Sequence, residues 1–184
     1  MIKLKVKYFV KTPDRDINSG VNKKVISQAA NLIDQGVETE LILVGIFNPV
    51  NRLDLPSFLT LYPLNYAPWW DIYGRIIRFL MIRKLFNDTI QSLGPTDVFY
   101  ARVSSPLFLS RLNSLKRFRD CKLVFEHQTM ELNELKVNKQ NIETSIYLIQ
   151  VWSEYIFGKF IRKQADAIVC VTDEIAKYQL KYFG

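Results

Sequence analysis

The sequence predicts an α/β fold: a Rossmann-like, doubly wound parallel sheet of about six strands with helices on both faces. Three observations lead there. Short runs rich in β-branched and aromatic residues alternate along the chain with stretches of helical period. Val37 to Val44 becomes almost wholly apolar, as a strand covered on both faces must be. Polar segments bearing Gly, Ser, Asn or Asp cluster after the strands, where such a sheet carries its binding loops. With 184 residues, 48% of them hydrophobic and 23% charged, the chain can close a core as a single domain over 1–184 and is not disordered.

The first strand runs from Leu4 to Val10 and ends in the polar segment Lys11 to Gly20. A helix fits Val21 to Gln35, with Val25, Ala29, Leu32 and Ile33 on its apolar side and Gly36 just past its end. Val37–Val44 and Phe58–Tyr62 are the second and third strands, separated by a loop from Pro49 to Pro56. After Pro63, Pro68, Trp69 and Trp70, a long helix over Ile72–Ser92 closes at Gly94-Pro95. Asp97–Ala101 is the fourth strand, Pro106–Arg119 a helix and Lys122–Glu126 the fifth strand. Glu131 to Asn141 reads as a polar loop leading into a helix over about Ile142–Gln164. Asp166–Val171 is the last strand, and Thr172 caps a final helix over Asp173–Phe183. No internal repeat interrupts this order.

Composition narrows the partners. Lys and Arg number 25 against 18 Asp and Glu, a net charge of +7 with a pI near 9.4, which favours an anionic ligand or surface. Only Cys121 and Cys170 are present, each in an apolar run, so neither a disulfide framework nor a cysteine zinc site is expected. The single histidine, His127, argues against an imidazole metal cluster. Met1 to Val10 reads as a strand rather than a secretory leader, and a reducing cytoplasm is the expected home. Trp69-Trp70 and the helix to Phe86 admit two readings: a peripheral contact at the inner face of a membrane, or a core helix whose Arg75, Arg78, Arg83 and Lys84 reach out to water. The scatter of those charges around the helix favours the core. Dispersed basic residues without a reader motif argue against nucleic acid.

The alternating order directs attention to the carboxyl ends of the strands. There Ser19-Gly20 opens a helix, whose free N–H groups suit phosphate oxygens. The three-glycine dinucleotide fingerprint and a Walker-type loop are both missing. His127 ends the fifth strand, where an imidazole can bond a hydroxyl or phosphate near neutral pH, with Glu126 beside it. Arg102 ends the fourth strand and can hold a carboxylate or phosphate or pair with Glu126 or Asp97. Glu131 and Asn133 follow, as sugar-hydroxyl ligands or simply as solvated polar residues.

Four segments taken together are similar to a known family. They are Asn18-Ser19-Gly20-Val21 with Val25, Ala29-Ala30 and Leu32; Gly36 to Leu43; Asp97 to Arg102 with Leu123 to His127; and Ala165 to Glu174. In order and spacing they resemble the N-terminal half of the GT-B glycosyltransferases of family four, the glycogen-synthase and mannosyltransferase-like group. The family usually carries two adjacent glycines in its first loop; here the first of them is Ser19. The resemblance implies an acceptor-side domain of a retaining, nucleotide-sugar-dependent transferase that moves a hexosyl unit to a saccharide or lipid-linked acceptor, as in cell-surface polysaccharide or glycolipid synthesis. It implies that Ser19 and Gly20 approach the donor diphosphate, that His127 sits beside the transferring sugar, and that neither metal nor cofactor is needed beyond the nucleotide-sugar co-substrate. Arg102, Glu126, Glu131 and Asn133 are then assigned to the acceptor. The donor-binding domain is expected to lie beyond this chain, leaving the fragment alone inactive. A stand-alone membrane-associated acceptor-binding subunit and a non-catalytic Rossmann-like nucleotide-binding module are the rival readings.

Overall fold

A computed structural model describes residues 4–12, 14–49, 55–64, 72–94, 96–102, 121–127, 131–137 and 165–183, with the helical positions 144, 147–148, 151–152, 155–156 and 159. Six strands form one sheet: β1 (Lys5–Lys11), β2 (Glu38–Gly45), β3 (Leu59–Pro63), β4 (Val98–Arg102), β5 (Lys122–His127) and β6 (Ala167–Cys170). Their order is β3-β2-β1-β4-β5-β6, and every pairing is parallel. Between β1 and β3 the chain steps outward in one direction. It then returns to lay β4 on the other side of β1, so the topological switch point falls between β1 and β4.

The helices are α1 (Gly20–Asp34), α2 (Ile72–Gln91), α3 (Glu131–Val137) and α4 (Asp173–Phe183). Strand alternation divides the core into two layers. On one face Val6, Tyr8, Val10, Leu41 and Leu43 pack under Val25 and Ala29 of α1. On the other, Phe9, Ile42, Val44, Phe99, Ala101, Leu123 and Phe125 pack under Ile82 and Ile90 of α2. Each fully buried Leu, Ile or Phe of this kind contributes about 1.5–3 kcal/mol, so the sheet is anchored from both sides. Thus α2 is a core helix along Ile82, Thr89 and Ile90, while Ile77 and Leu80 remain about half exposed. The expected helix over Pro106–Arg119 and the Trp69-Trp70 pair lie outside the described residues.

The sequence expectation needs one correction. Glu131–Val137 is helical rather than the start of a loop. Its turn is held from a distance: the Leu132 N–H donates to the Tyr178 hydroxyl at 2.9 Å, and Leu132 and Tyr178 are buried together with Val151 and Tyr182 packed on them. Smaller shifts occur at ends. Gly20 is already helical, and His127 belongs to β5. Gly36 follows the α1 C-cap Gln35 with φ of 84°, the left-handed turn that a glycine there permits.

Candidate functional site

The carboxyl edge of the sheet gathers the segment after β1, the start of α1 and the ends of β2, β4 and β5. The loop after β1 is tied to β2 and to the segment that follows β2. The Thr12 N–H donates to the Val44 carbonyl at 3.0 Å, and the Asn48 N–H to the Arg15 carbonyl at 2.9 Å. A Cβ at Gly45 would come within 2.9 Å of the Thr12 carbonyl oxygen, so glycine is what lets β2 pass this close to the loop.

Ser19 is the N-cap of α1: its hydroxyl accepts from the Asn22 N–H at 3.3 Å and donates to Asp14 Oδ2 at 2.7 Å. Asn22, wholly buried, sends its side-chain amide to the Asp16 carbonyl at 2.8 Å. Asp14 is therefore a fixed neighbour of this helix start, and the Ser19 proton is already committed to it. Gly20 differs from Gly45. A Cβ there meets nothing within 4 Å, and its φ is not left-handed, so neither the fold nor the backbone demands glycine. The space over Gly20 is open to whatever approaches the helix start.

Beneath this edge lies a polar cluster that sequence reasoning missed. Tyr8 on β1 and Tyr100 on β4 are register partners, their rings edge to face with centroids 4.7 Å apart. Both hydroxyls lie 3.0 Å from Glu126 Oε2 on β5, and Glu126 is only 3% exposed. The Tyr8 hydroxyl also lies 3.0 Å from the Gln28 side-chain amide of α1. A phenol has one proton, and the Glu126 carboxylate and Gln28 Oε1 are the two acceptors within its reach. Burial, and then the charge and hydrogen bond of Glu126, hold both phenols well above the usual tyrosine range; the Arg102 charge pulls weakly the other way. Tyr8 and Tyr100, each at the middle of its strand, were the sequence signal for this cluster.

Arg102 ends β4 on the same face as Tyr100, and its field reaches both phenols. Glu126 and His127, neighbours in sequence, point to opposite faces. His127, 8% exposed, is the register partner of Cys170 on the α2 side of the sheet. Asn133 is exposed on α3, and Glu131 begins that helix. Of the sequence-predicted residues, Ser19, Gly20, Arg102 and Glu126 thus lie on the α1 side of this edge and His127 on the other, while Glu131 and Asn133 belong to α3.

No family model matches the sequence, and no curated protein does. Among solved structures the chain is similar to sucrose-phosphate synthase (tll1590) from Thermosynechococcus elongatus, with a TM-score of 0.58 at 12% identity over 97% of this chain and 45% of that one. An α-glucosyltransferase in complex with UDP and a mismatch-containing 13-mer DNA gives 0.49 at 13% identity, over 92% of this chain and 37% of that one. UGT89C1 from Arabidopsis thaliana, complexed with UDP, gives 0.48 at 11% identity, over 97% and 49%. The fold is that of a Rossmann-like domain of a GT-B glycosyltransferase. The chain spans less than half the length of each of these structures.

Proposed function

We propose that this chain is the acceptor-side domain of a retaining, family-four-like glycosyltransferase, which moves a hexosyl unit from a nucleotide-diphosphate sugar to a saccharide or lipid-linked acceptor. One observation carries the reading. An α1 start with open space over Gly20 and the His127 end of β5 stand on one carboxyl edge, at either side of the switch point, in a fold like that of sucrose-phosphate synthase. In the transfer, an acceptor hydroxyl oxygen bonds to the anomeric carbon of the donor sugar. The bond from that carbon to the diphosphate oxygen breaks, and the nucleoside diphosphate leaves with the electron pair and takes up the hydroxyl proton.

On this reading the backbone at Gly20 and the helix start face the diphosphate, where N–H groups stabilise the charge that develops on the leaving oxygen. Ser19 shapes that turn rather than donating to the phosphate, since its proton is held by Asp14. His127 meets a hydroxyl of the reacting sugar. Arg102, Glu131 and Asn133 meet the acceptor, and Glu126 acts from below. A peripheral contact of the Trp69–Phe86 segment with a membrane fits a lipid-linked acceptor, and cell-surface polysaccharide or glycolipid synthesis is the setting proposed.

The test uses the full-length protein with UDP-glucose and a panel of other nucleotide-sugars, reading release of nucleoside diphosphate. His127→Ala is expected to lower turnover about a hundredfold or more with the fold unchanged. An unchanged rate would remove His127 from the site. Binding of a nucleotide-sugar to residues 1–184 alone as tightly as to the full-length protein would count against an acceptor-side domain.

A further inference from the structure

Glu126 stands on the edge that the transfer reading gives to ligands, yet it is too buried for a ligand to reach. Its Oε2 already receives the Tyr8 and Tyr100 hydroxyls at 3.0 Å, and Tyr8 is tied in turn to Gln28 of α1. Two phenols from two strands thus fix the carboxylate in place without cancelling its charge. A buried charge is costly unless an opposite charge stands near it. Arg102 is placed to supply one. Strands β4 and β5 pair in register from Val98 with Lys122 to Ala101 with Phe125, and one rung further come Arg102 and Glu126. Neighbouring strands run about 4.8 Å apart. Both residues fall on the Tyr100 side: Arg102 lies two positions after Tyr100, and Glu126 is bonded to it. The Arg102 charge is felt at both phenols, which share the Glu126 oxygen. Arg102 itself is only half-buried, and it ends β4 opposite Val10 of β1, at the switch point.

We infer that Glu126 is a positioning residue: from beneath the edge it holds the Arg102 guanidinium at the switch point, and Arg102 rather than Glu126 meets the ligand. A guanidinium is a planar fork of five N–H donors, so a carboxylate can take one side of it while another side is presented outward. A long side chain at a strand end loses much rotamer freedom when a ligand fixes it. Held by Glu126, Arg102 has lost most of that freedom beforehand, and the ligand binds without that cost. The phenols serve the same end one step further back, since they keep the carboxylate where the guanidinium needs it. That the ligand is an acceptor rests on the transfer reading; the hold of Glu126 on Arg102 does not.

The full-length protein is labelled with heavy-nitrogen arginine, and the Nε–H resonance of Arg102 is assigned by its loss in R102K. We expect a resolved resonance near neutral pH, with the relaxation of a rigid backbone amide. E126Q should move it among the mobile arginines while a thermal melt still reports a folded protein. Y8F/Y100F keeps the carboxylate and should leave the resonance resolved. If E126Q does not fold, E126D is read in its place: it draws the charge back by one methylene and should broaden the resonance. Transfer from UDP-glucose and the other nucleotide-sugars is then followed with glucose, a glucose phosphate and glucuronate as acceptors. R102A should raise the acceptor KM about tenfold or more, with a smaller change in kcat, and E126Q should raise it nearly as much. The double variant should exceed R102A by no more than about twofold, because Glu126 then has no guanidinium to hold. An Arg102 resonance that E126Q leaves in place overturns the inference, and so do R102A and E126Q effects that multiply. Failure of every nucleotide-sugar to support transfer would overturn the transfer reading and with it the acceptor on Arg102. The arginine resonance, read without substrate, would still decide what Glu126 does.

Discussion

Removing the Tyr100 hydroxyl while keeping its ring isolates one bond to a buried carboxylate. Tyr100→Phe preserves the edge-to-face packing on Tyr8 but deletes a 3.0 Å donor to Glu126 Oε2. A hydrogen bond to a charged group contributes about 1.5–3 kcal/mol, and Glu126 at 3% exposure has little water to replace it. The expected loss is therefore about 2 kcal/mol, read as a lower urea midpoint at unchanged slope, or as a melting temperature lower by roughly 4–8 °C for a chain of this size. Tyr8→Phe should cost a similar amount. The two donors share one oxygen, so the double variant should cost more than the sum of the singles, by at least about 0.5 kcal/mol. In a Glu126→Gln background the Tyr100→Phe cost should fall to about 1 kcal/mol or less, because the acceptor is then neutral. The reasoning is refuted if Tyr100→Phe stays within about 0.5 kcal/mol of the parent, or costs the same with and without the Glu126 charge.

The same phenols set an alkaline limit. Their pKa values are raised in the folded state, so their contribution is complete below about pH 10, where unfolded tyrosine ionises, and is lost as pH rises beyond it. Denaturant titrations should show stability falling above that pH, and Y8F/Y100F should flatten the fall. Gly45→Ala must push a Cβ against the Thr12 carbonyl and is expected to cost about 1–3 kcal/mol in a thermal melt. Gly20→Ala meets open space and should melt as the parent does, yet weaken nucleotide-sugar binding in the full-length protein; unchanged binding would remove Gly20 from the diphosphate site. Ser19→Ala removes the α1 cap and the bond to Asp14, for a loss of about 1 kcal/mol by urea titration.

The alternation of strand and helix was legible because each strand has its own compact apolar run, and the centres of all six strands fall where the pattern places them. The site was legible as an edge, since parallel strands ending in Arg102 and His127 point the same way. Partnerships were not. Tyr8 and Glu126 stand 118 residues apart, and nothing local in either strand announces that one will receive the other's proton. The α3 helix escaped notice for the same reason: its seven residues offer little apolar surface apart from Leu132, Leu135 and Val137, and its anchor, Tyr178, comes 46 residues later than Leu132. Short polar helices take their stability from tertiary contacts that a local reading does not contain.

The Tyr8 side chain spans β4 to reach β5, and this governs how the edge can move. The switch point divides the sheet into an arm of β1, β2 and β3 and an arm of β4, β5 and β6. Backbone bonds alone would let the arms splay slightly by twisting about the β1–β4 seam. The two phenols on Glu126 act as a crossbar laid under that seam and oppose such a twist. On the proposed function, closure around a ligand at this edge then comes from outside the two arms rather than from a twist about their seam.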